Sequence, residues 1–258
     1  MDNKHTVVVT GSARRLGREI ALSLADAGYS LILHSTAPTN DAAKTLAEVR
    51  AKGVNAIHIA ADLNQLEETA NIFEKVFLDD PSIFALINNA SIFEGSGFLE
   101  SNIIEWQRNF NINLTAPYLI SRRFAEMMKG REGRIINMLD WRALRPGRDH
   151  FAYTVSKAAL ASMTKAMALA LAPDITVNGL ALGAILPPAD SGEKISNRNI
   201  IDGTSKNKTA ETDAILRPVP AGRWAEIGEV TDTIKFLLSG PSYITGEIIH
   251  IDGGRHLV

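Results

Sequence analysis

The stretch Val7-Val8-Val9-Thr10-Gly11-Ser12-Ala13-Arg14-Arg15-Leu16-Gly17 decides the fold. Three consecutive β-branched residues read as a buried strand, and Gly11 opens a turn. Leu16, Ile20 and Leu24 then recur at four-residue spacing as the apolar stripe of a helix. Gly28 stands where a helix ends in a left-handed cap. A glycine-bearing turn between strand and helix aims backbone N–H groups and the positive helix end at one point, which suits a pyrophosphate. Read alone, the same residues also make an ordinary turn with two solvated arginines, because Arg15 replaces the middle glycine of the three-glycine fingerprint.

Working outward, further apolar strands are expected over 31–33, 56–59, 83–87, 134–138, 175–177 and 247–251, seven in all with the first. Helix-length segments separate them, among them 103–128 and 151–171. Continuously apolar strands alternating with helices predict a parallel sheet covered on both faces, a doubly wound α/β fold of the Rossmann type. With no repeat, linker or composition break, residues 1–258 are read as one domain. Residues 187–218, polar and weakly periodic, are expected to form a lid over the site.

The composition excludes several classes. With no cysteine among 258 residues there is no disulfide framework, thiolate nucleophile or Cys-ligated metal site. A net charge of -2 offers no bulk field for nucleic acid or an anionic membrane, so any anion must meet a local cluster. The apolar run at the N-terminus is too short for a signal peptide or a membrane span, and the expectation is a soluble, cytoplasmic protein. The six histidines show no ligand spacing, and no metal is expected.

The end of the second strand reads His34-Ser35-Thr36, with no acid until Asp41. An acid there would repel a 2′-phosphate, whereas hydroxyls and an arginine accept one. With Arg14 nearby, this favours NADP over NAD, and His34 reads equally well as a half-buried strand-end imidazole or a contact. Asp62-Leu63 follows the third strand, and Gln65 gives Asp62 the spacing of a helix cap as well as of an adenine contact. Farther on, Tyr153 and Lys157 stand four residues apart on one helical face. An ammonium beside a phenol favours phenolate and makes proton transfer feasible, although chance Tyr–Lys pairs are common in helices.

Thr10-Gly11 with Gly17, Asn88-Asn89-Ala90, Asn113, Tyr153 with Lys157, and Asp252-Gly253-Gly254, in that order, resemble the classical short-chain dehydrogenase/reductase family over essentially the whole chain. The resemblance implies a homotetramer of seven-stranded Rossmann subunits. It also implies a Tyr153 that exchanges the substrate proton and a Lys157 that lowers the Tyr153 pKa and holds the nicotinamide ribose. Asn113 would tie a water into the proton relay. Gly183 and Ile185 match the segment after the sixth strand that meets the carboxamide, although Leu182 replaces the expected proline.

The departures narrow the chemistry. Asp140 stands thirteen residues before Tyr153, where the family has a serine. An ionised carboxylate only accepts hydrogen bonds and repels a developing oxyanion, so Asp140 argues against a simple ketone and for a ring with N–H groups, or one that needs a proton at a ring nitrogen from an Asp140–Tyr153 acid pair. Arg15, Ser91 in place of the glycine after Asn-Asn-Ala, and Phe93 complete a set that resembles the pteridine reductases. That resemblance puts Arg15 between cofactor phosphate and pterin, Ser91 on both ligands, and Phe93 on the ring opposite the nicotinamide. The ending Asp252-Gly253-Gly254-Arg255-His256-Leu257 resembles the dihydromonapterin reductase branch. Trp141, Arg142, Leu186 and Pro187 are candidate pocket residues. The expectation is NADPH-dependent reduction of a dihydropterin. A 3-oxoacyl or sugar carbonyl reductase and a non-catalytic NADP-binding sensor are the rivals.

Overall fold

The computed structural model describes residues 5–186 and 214–258. Strands β1 (Thr6–Val9), β2 (Ser30–Ser35), β3 (Ala56–Ala60), β4 (Ile83–Asn88), β5 (Gly133–Asp140), β6 (Ile175–Leu182) and β7 (Ile248–Ile251) form one sheet. Their order is β3-β2-β1-β4-β5-β6-β7, and every pairing is parallel. This is the expected Rossmann-type sheet. The order reverses between β1 and β4, and in such sheets the ligand crevice opens beyond the carboxyl ends of the strands at that point.

Alternate side chains of each strand feed opposite layers, as a two-residue period requires. Val7 and Val9 pack with Ile20 and Leu24 of α1 (Arg15–Asp26) and Val230 and Ile234 of α7 (Ile227–Ser239). Val8 and Ile32 pack on the other face with Phe73 and Phe77 of α3 (Leu66–Asp79) and Phe124 of α5 (Ala116–Met127). Other helices among the described residues include α2 (Asn40–Arg50), α4 (Ile103–Phe110) and α6 (Phe151–Leu171). Gly28 follows the last turn of α1 at φ 88° and fills the expected cap.

The long helix expected over 103–128 is interrupted. Between α4 and α5 lies a π-helical turn, Asn111–Thr115, which carries Asn113 inward. Such single turns often mark functional sites. Residues 214–218 of the expected lid are described, and 187–213, with Pro187, lie outside the described residues.

Candidate active site

The loop after β1 is built for close approach. Gly11 has φ 66°, and a Cβ there would stand 2.8 Å from the Cα of Ala90. The Asn89 amide donates to the carbonyls of Thr10 (2.8 Å) and Gly11 (3.1 Å), while the Thr10 hydroxyl accepts from the N–H groups of Asn89 and Ala90, both at 3.0 Å. Helix α1 begins at Arg14 with no side-chain cap and no acid in its first turn, and Arg14 and Arg15 are exposed beside it. A helix start without a capping side chain, flanked by two guanidiniums, suits an anion. Arg15 takes φ 51°, which fixes the turn at the position the fingerprint gives to glycine. Leu16 packs against the core, and Gly17 is buried with its Cα against the Gly11 carbonyl.

At the end of β2 the structure corrects the sequence reading. His34 is 1% exposed and both ring nitrogens are engaged: Nδ1 accepts the Gly11 N–H at 3.2 Å, which leaves Nε2 to donate to the Ala61 carbonyl at 2.9 Å. It braces the loop from beneath and has no nitrogen left for a cofactor. Burial lowers its pKa to about 4. Ser35 is also buried, with its hydroxyl between the Ala37 carbonyl and the His58 ring, so Thr36 alone of the three is exposed. Asp62 does not cap α3, whose first flank is Gln65; its carboxylate accepts the Asn64 N–H at 3.0 Å in a local turn. Leu63 is buried in the core, so only its backbone could reach a ligand.

Strand β5 and helix α6 bring the chemistry-bearing residues together. The Tyr153 hydroxyl donates to Asp140 Oδ2 at 3.0 Å, and Asp140 Oδ1 accepts the Arg142 N–H at 2.8 Å. The Arg142 guanidinium lies 4.0 Å from the same carboxylate. Lys157 is buried, and Nζ donates to the Met138 carbonyl at 2.7 Å, 5.9 Å from the Tyr153 ring centre. The expected lowering of the phenol by Lys157 is therefore replaced by its opposite. Burial first, then the charge and hydrogen bond of Asp140, push the Tyr153 phenol well above its ordinary range, and Arg142 opposes them weakly. Burial lowers the Lys157 ammonium to about 8.

Asn113 is wholly buried and its side chain is fully engaged. Its oxygen accepts the Ile92 N–H at 2.9 Å and the Ser91 hydroxyl at 3.0 Å, and its amide reaches the Ile92 carbonyl and Ser156. The side chain thereby clamps the 91–93 loop to α6. That loop presents Phe93, which is 54% exposed, edge-on to Tyr153 at 4.7 Å between ring centres. The face of Phe93 lies against His150 at 3.7 Å. His150 stands at the start of α6 with φ 54° and is held by a hydrogen bond from its Nδ1 to the Glu94 carbonyl. The sequence reading passed it over among histidines without metal spacing; its place three residues before Tyr153 was the available signal.

Beyond β6, Gly183 lets the backbone pass Asp252 closely, since a Cβ would stand 2.6 Å from the Asp252 Cα. Ile185 is buried, and Leu186 packs against the core around α1 and α7 rather than joining the Asp140 cluster. Among the described residues no helix is long and apolar enough to cross a membrane, and no group of three potential metal ligands is found.

A parallel sheet whose switch point opens onto an uncapped glycine turn and a buried Tyr–Lys pair has the plan of a dinucleotide-dependent oxidoreductase. The chain belongs to the short-chain dehydrogenase family: the family model described as short chain dehydrogenase matches residues 5–197. The 3-oxoacyl-(acyl-carrier-protein) reductase FabG of Aquifex aeolicus (strain VF5) is 33% identical over 252 residues, 96% of this chain and 95% of the relative. The solved structure of FolM alternative dihydrofolate reductase 1 from Brucella canis, complexed with NADP, matches with TM-score 0.85 at 28% identity over 100% of this chain and 96% of that one. Acetoin dehydrogenase from Enterobacter cloacae matches with TM-score 0.85 at 29% identity over 98% and 96%. Overall likeness thus does not separate an alternative dihydrofolate reductase from a 3-oxoacyl reductase or an acetoin dehydrogenase, and the discrimination falls to individual side chains.

Proposed function

We propose that the protein is an NADPH-dependent reductase of dihydropterin rings. The residues present fit a dinucleotide: α1 opens without a capping acid beside Gly11, Arg14 and Arg15, and no carboxylate closes the end of β2 against a 2′-phosphate. The NADP-complexed FolM structure supports the same choice. Arg14 and Thr36 would meet the 2′-phosphate, and Lys157 the nicotinamide ribose. When bound, NADPH supplies a hydride.

The observation that carries the substrate reading is Asp140, held 3.0 Å from the Tyr153 hydroxyl where a ketone reductase needs a neutral donor. A carboxylate accepts from the N–H groups of a 2-amino-4-oxo ring and disfavours an oxyanion beside it. Tyr153, kept protonated by burial and by Asp140, enters the reaction as an acid, and its proton goes to the ring nitrogen next to the reduced carbon. Asp140 stabilises the N–H groups and positions the phenol. Phe93, Ser91 and Arg15 would hold the ring flat, so that orientation supplies much of the rate. A cytoplasmic homotetramer is part of this proposal through the family resemblance.

The 33% identity to FabG favours a second reading, reduction of a 3-oxoacyl thioester. NADPH oxidation measured side by side with dihydrobiopterin, dihydromonapterin, dihydrofolate and an acetoacetyl thioester separates the two. Turnover of the thioester alone would overturn the pterin reading. Tyr153→Phe is expected to abolish turnover of whichever substrate is accepted while NADPH affinity stays within about threefold; a fully active variant would remove Tyr153 as the acid.

A further inference from the structure

The Asp140 cluster continues outward into cations that the proposed chemistry leaves unused. Trp141 follows Asp140 directly, and two guanidiniums lie against its indole, Arg142 at 4.8 Å and Arg255 at 4.5 Å from the ring centre. Arg145 comes from the same turn and reaches the Arg255 carbonyl at 3.5 Å. Arg142 also stands 5.7 Å from the centre of the Phe93 ring, so the cationic group borders the proposed ring site.

Acids offset this group only in part, and mostly at Arg142. Asp140 and Asp149 lie 4.0 and 3.4 Å from Arg142, and among the described residues no carboxylate comes within ion-pair distance of Arg145 or Arg255. Asp252 is the acid whose charge acts on Arg255, and its oxygens are engaged by the N–H groups of Gly254 and His256 and by the His256 ring. The Arg142 Nε is buried without a partner. Arg142 and Arg255 are partly buried and Arg145 is exposed, and three like charges gathered beside one another repel, a cost that an anion between them relieves. Guanidinium forks read carboxylate and phosphate equally well.

We infer that the substrate carries an anionic arm, a carboxylate or a phosphate, which Arg255 and Arg145 receive while the ring lies at Phe93 and Asp140. The inference rests on the dihydropterin reading and names the substrate class within it. The test compares kcat/KM with NADPH for dihydrofolate, dihydroneopterin monophosphate and neutral dihydrobiopterin in the wild type, Arg255→Ala and Arg145→Glu, at low and high salt.

The anionic substrates are expected to lead the neutral one in the wild type. The anionic-to-neutral ratio falls about tenfold in either variant and with added salt, and the loss lies in KM rather than kcat. Whichever of the two anionic substrates shows the larger fall identifies the arm. Turnover of dihydropterins at the same ratio in every chain and at every salt overturns the inference and leaves the dihydropterin reading standing. No turnover of any dihydropterin overturns both. Circular dichroism checks folding, and should Arg255→Ala not fold, Arg145→Glu carries the comparison.

Discussion

At residue scale the decisive contact is Tyr153 to Asp140. A phenol bonded to a carboxylate, with its lysine neighbour turned to the Met138 carbonyl, is a proton donor held in reserve. Replacing Asp140 by serine removes the charge that raises the phenol and supplies a group able to donate to a carbonyl oxygen. For Asp140→Ser, kcat/KM on a dihydropterin is expected to fall about 100-fold, the scale of a lost hydrogen bond to a charged group, while an acetoacetyl thioester becomes a better substrate. Steady-state rates on both substrates check this, and unchanged rates on both would take Asp140 out of the chemistry. Asp140 was legible in the sequence because its spacing from Tyr153 is fixed by β5 and α6. The direction of the Tyr153 pKa was not legible, because burial and the turn of the hydroxyl toward Asp140 arise only in the packed molecule.

At the scale of elements, the π-helical turn Asn111–Thr115 converts an expected long helix into two and sends Asn113 inward. Its amide there holds the loop that presents Ser91 and Phe93. Asn113→Ala leaves buried donors and acceptors unpaired, at about 1–3 kcal/mol each. Tm is expected to fall by roughly 5 °C, with a rise in substrate KM that exceeds any change in NADPH affinity. Thermal melts and ligand titrations check it; equal losses for both ligands would assign Asn113 to general stability. The periodicity of 103–128 hid this turn, since one extra residue per turn scarcely disturbs an apolar stripe. His150 was hidden for another reason: its partner Phe93 lies far away in the chain, and only the fold stacks them.

For the whole molecule, the seven strands and their parallel order follow from apolar runs spaced by helices, and there the sequence reading and the structure agree. The open readings gather at the strand ends, where His34 could have been a contact or a half-buried imidazole and proves enclosed, as do the side chains of Ser35 and Leu63. Strand alternation predicts which face a side chain takes but not how deeply the next loop covers it. This enclosure makes stability depend on pH. His34 titrates near 6.5 when unfolded and near 4 when folded, so the unfolded chain binds the extra proton in between. Stability present above pH 6.5 is therefore lost as the pH falls toward 4, by up to roughly 3 kcal/mol. Denaturant midpoints at pH 7 and 4.5 are expected to differ more for the wild type than for His34→Gln; parallel losses would place the acid sensitivity elsewhere.

Strand β5 has one further consequence. Asn137 bonds Asn88 and Thr164, Met138 packs its side chain in the core and gives its carbonyl to Lys157, and Asp140 faces the phenol. Eight consecutive pairings with β6 lock this order. Constraint is thus unequal along a few neighbouring codons: position 137 carries the scaffold, position 138 must fill the core while its carbonyl holds Lys157, and position 140 is the one that faces the proposed substrate. On the proposed ring chemistry, a lineage built on this strand could move toward carbonyl reduction by a change at position 140 alone, with the β5–β6 register inherited intact.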